Sequence, residues 1–443
     1  MSFFDLSQLQ PDQAGGLSFA CSCQKKHAVA TKKVVFGQPP AEVLPDLALE
    51  LLPAGNLLFV SDKALYDRFA RPLQRALSRT HLITPHLLDQ PPYDLKEAGK
   101  MLKMGEDIRL VVSYGSGSLT DLCKYYAALA GIPHLAVGSA PSTDSYLSPK
   151  AVLRADGCLR EFSAKPPEIF VYDNEAAAKA PRKIFAAGFG EMMGKLVALF
   201  DWNLAFSLRN EPYCENVANL IQTAVADCFA CGDGLIKGNR EAADKLGAAL
   251  IKCGLCAQLL GSERAVSGGA RQMGRALQIL LEEAGTPLLS GECVMLASLY
   301  LGRLYPAFLE QEINEILPPP DFGLRAAVLE KFFHLRQKTY LAEHCKLSDQ
   351  TLTEYKMKEY RRDFYTYAQE VHQKLLDGGV LFRRIYPDAG LWMEGFLSAE
   401  QKKLSFALAP DLDGTFTLLT YLRDRGLTDE LLPQPVPPAG QTA

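Results

Sequence analysis

The stretch that decides the fold runs from residue 110 to residue 148 and reads LVVSYGSGSLTDLCKYYAALAGIPHLAVGSAPSTDSYLS. It begins with the apolar, β-branched run Leu-Val-Val at 110–112, which predicts a buried strand. A glycine turn follows at 115–118, then a helical pattern that ends before Gly131 and Pro133, and then a second strand at 134–137. Strand, glycine turn, helix and strand in this order predict one βαβ unit of a parallel sheet.

The glycine turn carries the first functional signal. Gly115, Ser116, Gly117 and Ser118 place small side chains and free backbone N–H groups at the start of a helix, where partial positive charge favours a phosphate. With Asp121 the spacing is Gly-x-Gly-x-x-x-Asp, which differs from the Gly-x-Gly-x-x-Gly of many dinucleotide-binding folds. A plain tight turn between a strand and a helix is therefore the alternative interpretation.

Length and composition set broad limits. The chain has 443 residues, enough for two or three domains, and 48% hydrophobic residues are ordinary for a globular protein. A net charge of −4 gives no reason to expect nucleic acid or an anionic membrane surface as a partner. We find no apolar run of membrane-spanning length and no signal-peptide pattern at the N-terminus, and we expect no membrane insertion. Eleven cysteines, an odd number, favour reduced thiols and a cytoplasmic location.

The hydrophobic pattern changes once along the chain. Strand and helix patterns alternate to about Tyr172, which predicts a mainly parallel sheet covered on both faces. Long helical patterns follow, at 183–208, 215–231, 241–260, 270–284 and 292–305. We predict a loosely held lead-in at 1–20, an α/β dinucleotide-binding domain at 21–174, a helical substrate domain at 175–430 and a disordered tail at 431–443.

An acidic residue ends one of the predicted strands. The run 56–62 is apolar and finishes on Asp62, and the carboxyl end of a strand is where doubly wound folds often bind a ribose hydroxyl. Asp62 is therefore a candidate for the adenosine ribose. The alternative role is an N-cap for the helix that follows.

Two groups of cysteines in the sequence are candidate metal ligands. Cys21, Cys23 and His27 have the chemistry of a zinc site, but they are crowded and a fourth ligand would have to come from elsewhere. Incidental cysteines at a sheet edge are the preferred interpretation. The Cys-x-x-Cys pairs at 228–231 and 253–256 fall on two successive helices, where the helical rise separates them by roughly 15–20 Å. A zinc-thiolate protein built on these pairs is thus disfavoured, and small buried residues are expected there.

Several short motifs taken together resemble the iron-containing alcohol dehydrogenase and dehydroquinate synthase superfamily, and within it the sn-glycerol-1-phosphate dehydrogenases. They cover roughly residues 20–300 in the family's order: Cys-Ser-Cys at 21–23 with His27, the turn at 115–121, Ala-Pro-Ser-Thr-Asp at 140–144, Gly-Phe-Gly-Glu at 188–191 with Gly194, Lys195 and Asp-Trp at 201–202, and Arg264 with Ser-Gly at 267–268. The stretch 413–419 resembles the family's C-terminal end.

The resemblance implies a dehydroquinate synthase-like fold. That fold has an α/β N-terminal nucleotide-binding domain, an all-α C-terminal domain and a site in the cleft between them. The implied cofactor is NAD or NADP, and an acid at the ribose favours NAD. The residues implied for the cofactor are Asp62, Gly115, Ser116, Gly117, Ser118, Asp121, Ser139, Ser142 and Leu147.

The family's metal ligands are replaced in this sequence. The resemblance places an aspartate and two histidines of the family at Glu191, Arg271 and Ser290. Arginine stays protonated and does not bind a cation, and serine is a poor substitute for imidazole. We therefore predict that the usual divalent metal site is lost.

Two interpretations follow from this loss. In the first, the protein is still an NAD(P)-dependent dehydrogenase that interconverts dihydroxyacetone phosphate, or a similar small polyol phosphate, with its alcohol. Asp144, Lys195 and Arg271 would then be the catalytic residues, with positive charge in place of the metal. In the second, the chain retains nucleotide binding but has no catalysis or a different one. A dehydroquinate-synthase-like lyase is a further alternative, and a homodimer is expected by analogy only.

Overall fold

The computed structural model describes residues 6–89, 91, 93–155, 158–310, 318–335, 350–387 and 396–433. Two expectations lie wholly or partly outside these residues. The Asp-Gly turn at 156–157 and residues 434–443 of the expected tail are not among them. Within the described part of the expected tail, Leu432 is buried and packs against a cluster of the helical domain.

A six-stranded sheet forms the centre of the N-terminal domain. Its order is β3-β10-β7-β6-β4-β5, and every pair of neighbours is parallel. The strands are β3 (Lys33–Val35), β4 (Asn56–Asp62), β5 (Leu82–Leu88), β6 (Ile108–Gly115), β7 (His134–Gly138) and β10 (Ile169–Tyr172). This pairing confirms the predicted parallel sheet, and β4, β7 and β10 are buried along almost their whole length, as strands covered on both faces require.

Helices connect these strands. They are α1 (Pro40–Leu51), α2 (Lys63–Leu65), which continues through a π-helical turn (Tyr66–Ala70) into α3 (Arg71–Leu77), α4 (Leu95–Met101) and α5 (Gly117–Ala130). After β7, a short 3-10 turn (Ser145–Leu147) leads into an antiparallel hairpin of β8 (Lys150–Ala155) and β9 (Cys158–Ser163). The hairpin was expected at this place, and it leads into β10, the last strand of the sheet.

The second half of the described chain is helical, as predicted. Its helices are α6 (Asn174–Ala178), α7 (Arg182–Arg209), α8 (Glu215–Ala230), α9 (Gly232–Lys237), α10 (Arg240–Leu260), α11 (Gly269–Glu283), α12 (Ser290–Glu310), α13 (Phe322–Phe333), α14 (Gln350–Ile385), α15 (Ala399–Leu408) and α16 (Leu418–Asp424). The five long helices expected from periodicity begin and end within a few residues of α7, α8, α10, α11 and α12. None of the helices in the described ranges is long and apolar enough to span a membrane.

The segment before the sheet is part of the helical core rather than a loosely held lead-in. Leu6 and Leu9 are each 1% exposed and belong to the same apolar cluster as α7 and α8. A small hairpin of β1 (Ser18–Ala20) and β2 (Lys26–Ala28) follows. Apolar contacts with distant helices hold this segment, and such contacts leave no local pattern in the sequence.

Candidate active site

Helix α7 touches both the loop after β7 and helix α12 at backbone level. A Cβ atom on Gly188 would lie 1.9 Å from the carbonyl oxygen of Pro141, and one on Gly190 would lie 2.1 Å from that of Gly291. Only glycine permits these approaches, since any side chain would overlap the neighbouring backbone. The glycines thus bring α7 against the site from two sides and place Glu191 and Lys195 between them.

Four charged side chains meet where these elements converge, and we call Asp144, Glu191, Lys195 and Arg271 the charge cluster. Lys195 Nζ donates to Asp144 Oδ2 at 2.5 Å and to the carbonyl oxygen of Val266 at 3.0 Å. Arg271 Nη2 donates to Asp144 Oδ1 at 2.7 Å and to Glu191 Oε2 at 3.0 Å. The cluster therefore links the loop after β7, α7 and α11 with alternating charge.

The position of Ser290 completes this arrangement. Its hydroxyl donates to Glu191 Oε1 at 2.8 Å, so both oxygens of the Glu191 carboxylate have partners. Glu191, Arg271 and Ser290, the three residues that the resemblance assigns to the family's metal-ligand positions, are thus in contact in one place.

Burial makes the charges of the cluster depend on one another. Burial by itself raises the pKa of Asp144, but the charges of Arg271 and Lys195 outweigh it and hold that pKa well below its usual range. Burial likewise lowers the pKa of Arg271, and the carboxylates of Asp144 and Glu191 more than reverse this effect. Both residues therefore stay ionised at neutral pH.

The residues at the family's metal position do not fit a divalent cation. The guanidinium of Arg271 lies within hydrogen-bond distance of both Asp144 and Glu191, the two carboxylates that could bind a metal there. A cation at this place would meet a fixed positive charge and only one serine hydroxyl in place of imidazole. No chemistry through a metal is assigned to the charge cluster.

The glycine turn has the geometry expected for a phosphate cradle. Ser116 is the N-cap of α5, and its hydroxyl oxygen accepts from the N–H of Leu119 at 3.3 Å. The N–H groups of Gly117 and Ser118 precede the first intrahelical bonds and are therefore available to an anion. A Cβ on Gly117 would lie 2.3 Å from Thr143 Cγ2, so glycine keeps the turn open at that point. These residues fit a dinucleotide phosphate.

Asp62 lies directly beneath this turn. Its Oδ2 accepts from the N–H of Ser116 at 3.0 Å, and its Oδ1 accepts from the hydroxyl of Tyr93. Burial raises the pKa of Asp62, although both hydrogen bonds oppose that effect. The side chain is 7% exposed and does not cap α2. The carboxylate supports the turn from below, and its contact with a ribose stays a prediction.

Asp121 is buried beside the turn, and it also contributes to the wall of the cavity described below. Its carboxylate accepts from the N–H of Val152 at 3.1 Å and pairs with Lys124 Nζ at 2.8 Å. Burial raises the pKa of Asp121 to about 6, and the nearby Lys124 charge opposes that rise. Asp121 therefore ties α5 to β8, which is a positioning role for the turn.

Lys124 is a buried residue that sequence reasoning missed. Its Nζ also donates to the carbonyl oxygens of Ser145, Ser148 and Lys150 at 2.5–3.1 Å. It thereby fixes the chain that leads from the loop after β7 into β8. A lysine at i+3 from Asp121 inside an apolar helical face was the only signal in the sequence.

Of Ser139, Ser142 and Leu147, the residues expected to line the cofactor groove, only Ser142 lines the cavity. Ser142 lies on the wall of the cavity described below. Ser139 is buried, and its N–H donates to the carbonyl oxygen of Gly115. Leu147 is fully buried in the helical core, with its carbonyl oxygen accepting from Gln258. Neither Ser139 nor Leu147 is on the cavity wall, because both face the protein interior.

One cavity of about 270 Å³ joins the turn to the charge cluster. At one end it is lined by Ser116, Gly117, Ser118, Ser142 and Thr143, and at the other by Glu191, Arg271, Arg275 and Ser290. Three larger cavities are present among the described residues. Those of about 540 and 760 Å³ lie beside hairpin β8–β9 and the segment around Asp413, and one of about 400 Å³ lies beside Tyr66 and Arg71; none of them is lined by a residue of the charge cluster. The small cavity is therefore the candidate active site.

Arg275 is a further residue of this site that the sequence did not single out. It lies one helical turn beyond Arg271 on α11 and donates to Glu161 Oε1 at 2.5 Å. Burial lowers the pKa of Arg275, but the Glu161 carboxylate outweighs burial and raises it. Two arginines at i and i+4 on one helix were the available signal.

Other motif residues behind the resemblance hold the helical domain together. Asp201 accepts from the N–H groups of Gly269 and Leu418, at 2.7 and 2.9 Å. Arg264 donates to the carbonyl oxygens of Asp201 and Phe416. These contacts join α7, the start of α11 and the C-terminal segment. Asp201 and Arg264, which belong to the motifs behind the resemblance, therefore have a structural role in this chain.

Comparison with known proteins agrees with this architecture. Residues 39–181 match the family model described as iron-containing alcohol dehydrogenase. A sulfoacetaldehyde reductase from Bifidobacterium kashiwanohense, solved in complex with NAD+, has a TM-score of 0.59 at 17% identity and covers 89% of this chain and 96% of its own. A 1,3-propanediol oxidoreductase has a TM-score of 0.59 at 15% identity and covers 90% and 97%. These two likenesses show the fold.

Curated relatives are similar in sequence. The glycerol-1-phosphate dehydrogenase [NAD(P)+] of Bacillus velezensis is 30% identical over 220 residues, which are 49% of this chain and 56% of that protein. The same enzyme of Sulfurisphaera tokodaii is 28% identical over 290 residues, 63% of this chain and 79% of that protein. The chain spans about half the length of the Bacillus relatives it matches, with 56% and 52% for two of them.

Fold, sequence motifs and family match point to one class of protein. Residues 39–181 match the iron-containing alcohol dehydrogenase family, and the fold of the described chain is that of the two solved structures. The curated relatives that it resembles in sequence are named glycerol-1-phosphate dehydrogenase [NAD(P)+].

Proposed function

We propose that the protein is an NAD(P)-dependent oxidoreductase that interconverts a small phosphorylated ketone, such as dihydroxyacetone phosphate, with its alcohol without a metal at the charge cluster. One observation carries the proposal. The phosphate-type turn at Ser116–Ser118 and the cluster containing Arg271 line the same cavity. The substrate class is supported by the relatives, which are named glycerol-1-phosphate dehydrogenases.

Arg271 is the proposed group that stabilises the negative charge formed during the reaction. Its Nη2 binds both Asp144 and Glu191, and its buried Nε has no hydrogen-bond partner among the described residues, so the guanidinium keeps donors beyond those two contacts. A guanidinium stabilises negative charge that develops on a carbonyl oxygen. Because its two carboxylate partners hold it in place, little reorganisation is needed during the reaction.

The reaction balances with the groups at this site. A dinucleotide held at the turn by the N–H groups of Gly117 and Ser118 would supply hydride chemistry to the carbonyl carbon. The electron pair of the C=O bond would move to oxygen, where Arg271 would stabilise it, and solvent entering the cavity would supply the proton. Lys195, which is buried behind the cavity wall, holds Asp144 through the 2.5 Å hydrogen bond, and Asp144 in turn orients Arg271. The reverse sequence oxidises the alcohol.

Arg275 is the proposed contact for the substrate phosphate. It lies on the wall of the same cavity, next to Arg271 on α11. An arginine fork binds phosphate through two parallel hydrogen bonds, and Glu161 positions the guanidinium from the other side. Positive charge beyond the reacting carbonyl favours a phosphorylated substrate over a neutral polyol.

Three finer expectations remain proposals. NAD is favoured over NADP because an acid at the end of β4 disfavours a 2′-phosphate. A homodimer and a cytoplasmic location are expected from the family and from the cysteine content. Each is tested directly, by comparing NADH with NADPH, by the mass in solution and by fractionation of cells that express the protein.

The deciding experiment follows the absorbance of NADH and NADPH with dihydroxyacetone phosphate as substrate. The assay is run with a chelator present, and again with excess Zn²⁺ or Ni²⁺. We expect turnover in the chelator, lowered about 10²–10³-fold in Arg271→Lys, which keeps the charge but cannot bridge Asp144 and Glu191. Arg303→Lys, an exposed change on α12, is the matched control and should leave turnover unchanged.

Two other outcomes would count against the proposal. Turnover that requires added metal would show that the cluster binds a cation in spite of Arg271. Dinucleotide binding in calorimetry without turnover on any small phosphorylated ketone would favour the alternative, a family member that binds nucleotides but has lost its redox chemistry. The observation that favours this alternative is the charge balance of the cluster, in which two cationic side chains pair with two carboxylates.

A further inference from the structure

Three ligand-type side chains of the N-terminal hairpin meet a fourth from the helical domain. Cys21 and Cys23 lie in the turn between β1 and β2, His27 lies in β2, and Cys214 directly precedes α8. One donor atom from each of the four lies within 4.8 Å of every other. In the described ranges, no other group of three or more His, Cys, Asp and Glu side chains meets this condition.

The distances match a tetrahedral metal site. Cys21 Sγ and Cys214 Sγ are 3.7 Å apart, and His27 Nε2 lies 3.2 Å from Cys23 Sγ and 3.4 Å from Cys214 Sγ. Tetrahedral zinc, with Zn–S of about 2.3 Å and Zn–N of about 2.0–2.1 Å, separates two sulfurs by roughly 3.8 Å and a sulfur from a nitrogen by roughly 3.5 Å. The three ligand-to-ligand distances are thus close to the edge lengths of such a tetrahedron.

A hydrogen bond behind His27 sets the state of its ring. Nδ1 lies 2.7 Å from the carbonyl oxygen of Leu259, and a carbonyl oxygen only accepts, so Nδ1 carries the proton. Nε2 therefore turns its lone pair towards the sulfurs. A metal-binding histidine is commonly oriented by such a carbonyl contact. A histidine with a purely structural role would not require its second nitrogen, Nε2, to lie beside cysteine thiols.

A second contact stabilises negative charge on sulfur. Asn216 Nδ2 donates to Cys21 Sγ at 3.3 Å and reaches the Ser22 hydroxyl at the same distance. The turn itself is held by the N–H of Cys21 donating to the carbonyl oxygen of Lys25, and by the N–H of Gln24 donating to that of Cys21. Gln24 has a φ of 64°, which the tight return of this loop requires. These contacts fix the conformation of the turn that carries Cys21 and Cys23.

We infer that Cys21, Cys23, His27 and Cys214 bind one structural Zn²⁺ in a closed Cys₃His site. Soft thiolates with one imidazole select zinc over the hard cations, and four protein ligands leave no open position for catalysis. Three ligands come from the hairpin and one from the start of α8, so the metal would join the N-terminal segment to the helical domain. This site shares no residue with the charge cluster and stands whether or not the proposed reaction does.

This inference replaces the interpretation of incidental cysteines at a sheet edge. The fourth ligand, Cys214, is separated from Cys23 by 191 residues, and only the fold brings the two together. Among the described residues, the pairs at Cys228/Cys231 and Cys253/Cys256 do not form such a group. The contrast supplies matched controls within one chain.

Metal analysis of the full chain, purified without chelator, is the test. We expect one zinc per chain by plasma mass spectrometry, lost in Cys21→Ser with Cys23→Ser and retained in Cys228→Ser with Cys231→Ser. Zinc should also be retained in Glu191→Gln and Arg271→Lys, because the charge cluster is not the site. Cobalt substitution of the wild type should give thiolate charge-transfer bands and the intense visible bands of a tetrahedral site.

The wild-type measurements keep the test decisive if the double cysteine variant does not fold. X-ray absorption of the zinc protein should show three sulfurs and one nitrogen around the metal. A metal-free wild type with all thiols titrating, even after growth and refolding with zinc, would overturn the inference. A disulfide between Cys21 and Cys214 in mass spectrometry, or zinc lost only from the charge-cluster variants, would overturn it equally.

Discussion

Arg271 Nη2 lies 3.0 Å from Glu191 Oε2, and this ion pair occupies the place where the family's motif puts metal ligands. The same nitrogen also contacts Asp144. The arginine supplies a positive charge that is covalently part of the chain, and its position is set by two buried carboxylates. With Lys195, the arginine balances the charge of the two carboxylates.

Removal of this arginine should destabilise the fold. Arg271→Ala leaves Asp144 and Glu191 buried with Lys195 as their only charged partner, and the expected loss is about 3–5 kcal/mol, as for other broken buried pairs. Urea unfolding at pH 7 measures the change in the free energy of unfolding. Arg271→Ala combined with Glu191→Ala should lose less than the sum of the two single changes, because the residues are coupled. Strict additivity would contradict a shared network.

Arg275 should act on the substrate and not on the cofactor. Arg275→Ala is expected to raise the KM for dihydroxyacetone phosphate by about 10–100-fold, because a charge-assisted hydrogen bond to phosphate is worth roughly 1.5–3 kcal/mol. The dissociation constant for NADH, measured by fluorescence, should stay unchanged. Equal losses in both measurements would place the arginine in the support of hairpin β8–β9 through Glu161.

Close contact between α7 and α12 should make Gly190 sensitive to any side chain. The Cβ of Gly190→Ala would lie 2.1 Å from the carbonyl oxygen of Gly291, so the helices must separate, at a cost of about 1–3 kcal/mol or more. Gly99→Ala in exposed α4 is the matched control, with nothing within 4 Å of the added carbon. That change should be neutral or stabilising by up to about 1 kcal/mol. Thermal unfolding of both variants tests the contrast.

Asp201 should make the free energy of unfolding depend on pH. Burial raises its pKa to about 6, although the N–H groups of Leu418 and Gly269 and the Arg264 charge oppose this. The folded state therefore holds the proton more tightly than the unfolded state. The stabilising contribution of Asp201 is complete below the unfolded pKa and is lost as pH rises towards the folded one, about 6.

Asp201→Asn removes this titration. The stability of the wild type minus that of the variant should fall between pH 5 and pH 7 by about 1–1.5 kcal/mol, the value of one pKa unit. Urea unfolding of both proteins at each pH gives the difference, and subtraction cancels the other titrating groups. A difference that is constant across the range, or that grows with pH, would contradict the raised pKa.

Much of the fold was predictable because it depends on local patterns. The strands from β4 to β7 are apolar runs bounded by turn residues, and α7, α8, α10, α11 and α12 show long helical periodicity. The motif positions also identified which residues meet at the cluster. Asp144, Glu191, Lys195, Arg271 and Ser290 are indeed in contact.

The burial of Asp62, Asp121 and Leu147 was not predictable in the same way. A strand end or a helix start does not say whether a side chain faces the open groove or the packed side. That choice depends on partners far along the chain, such as Tyr93 for Asp62 and Val152 for Asp121. Burial of Leu6 and Leu9 against α8 has the same origin.

The sequence by itself determined the βαβ order and the helical second domain, because these depend on residue type and on spacing along the chain. Only the tertiary structure decided that Arg271 bridges two carboxylates and that Cys214 completes a ligand set with Cys21, Cys23 and His27. Both depend on distances of a few ångströms between residues far apart in the chain, and packing of the whole domain sets those distances.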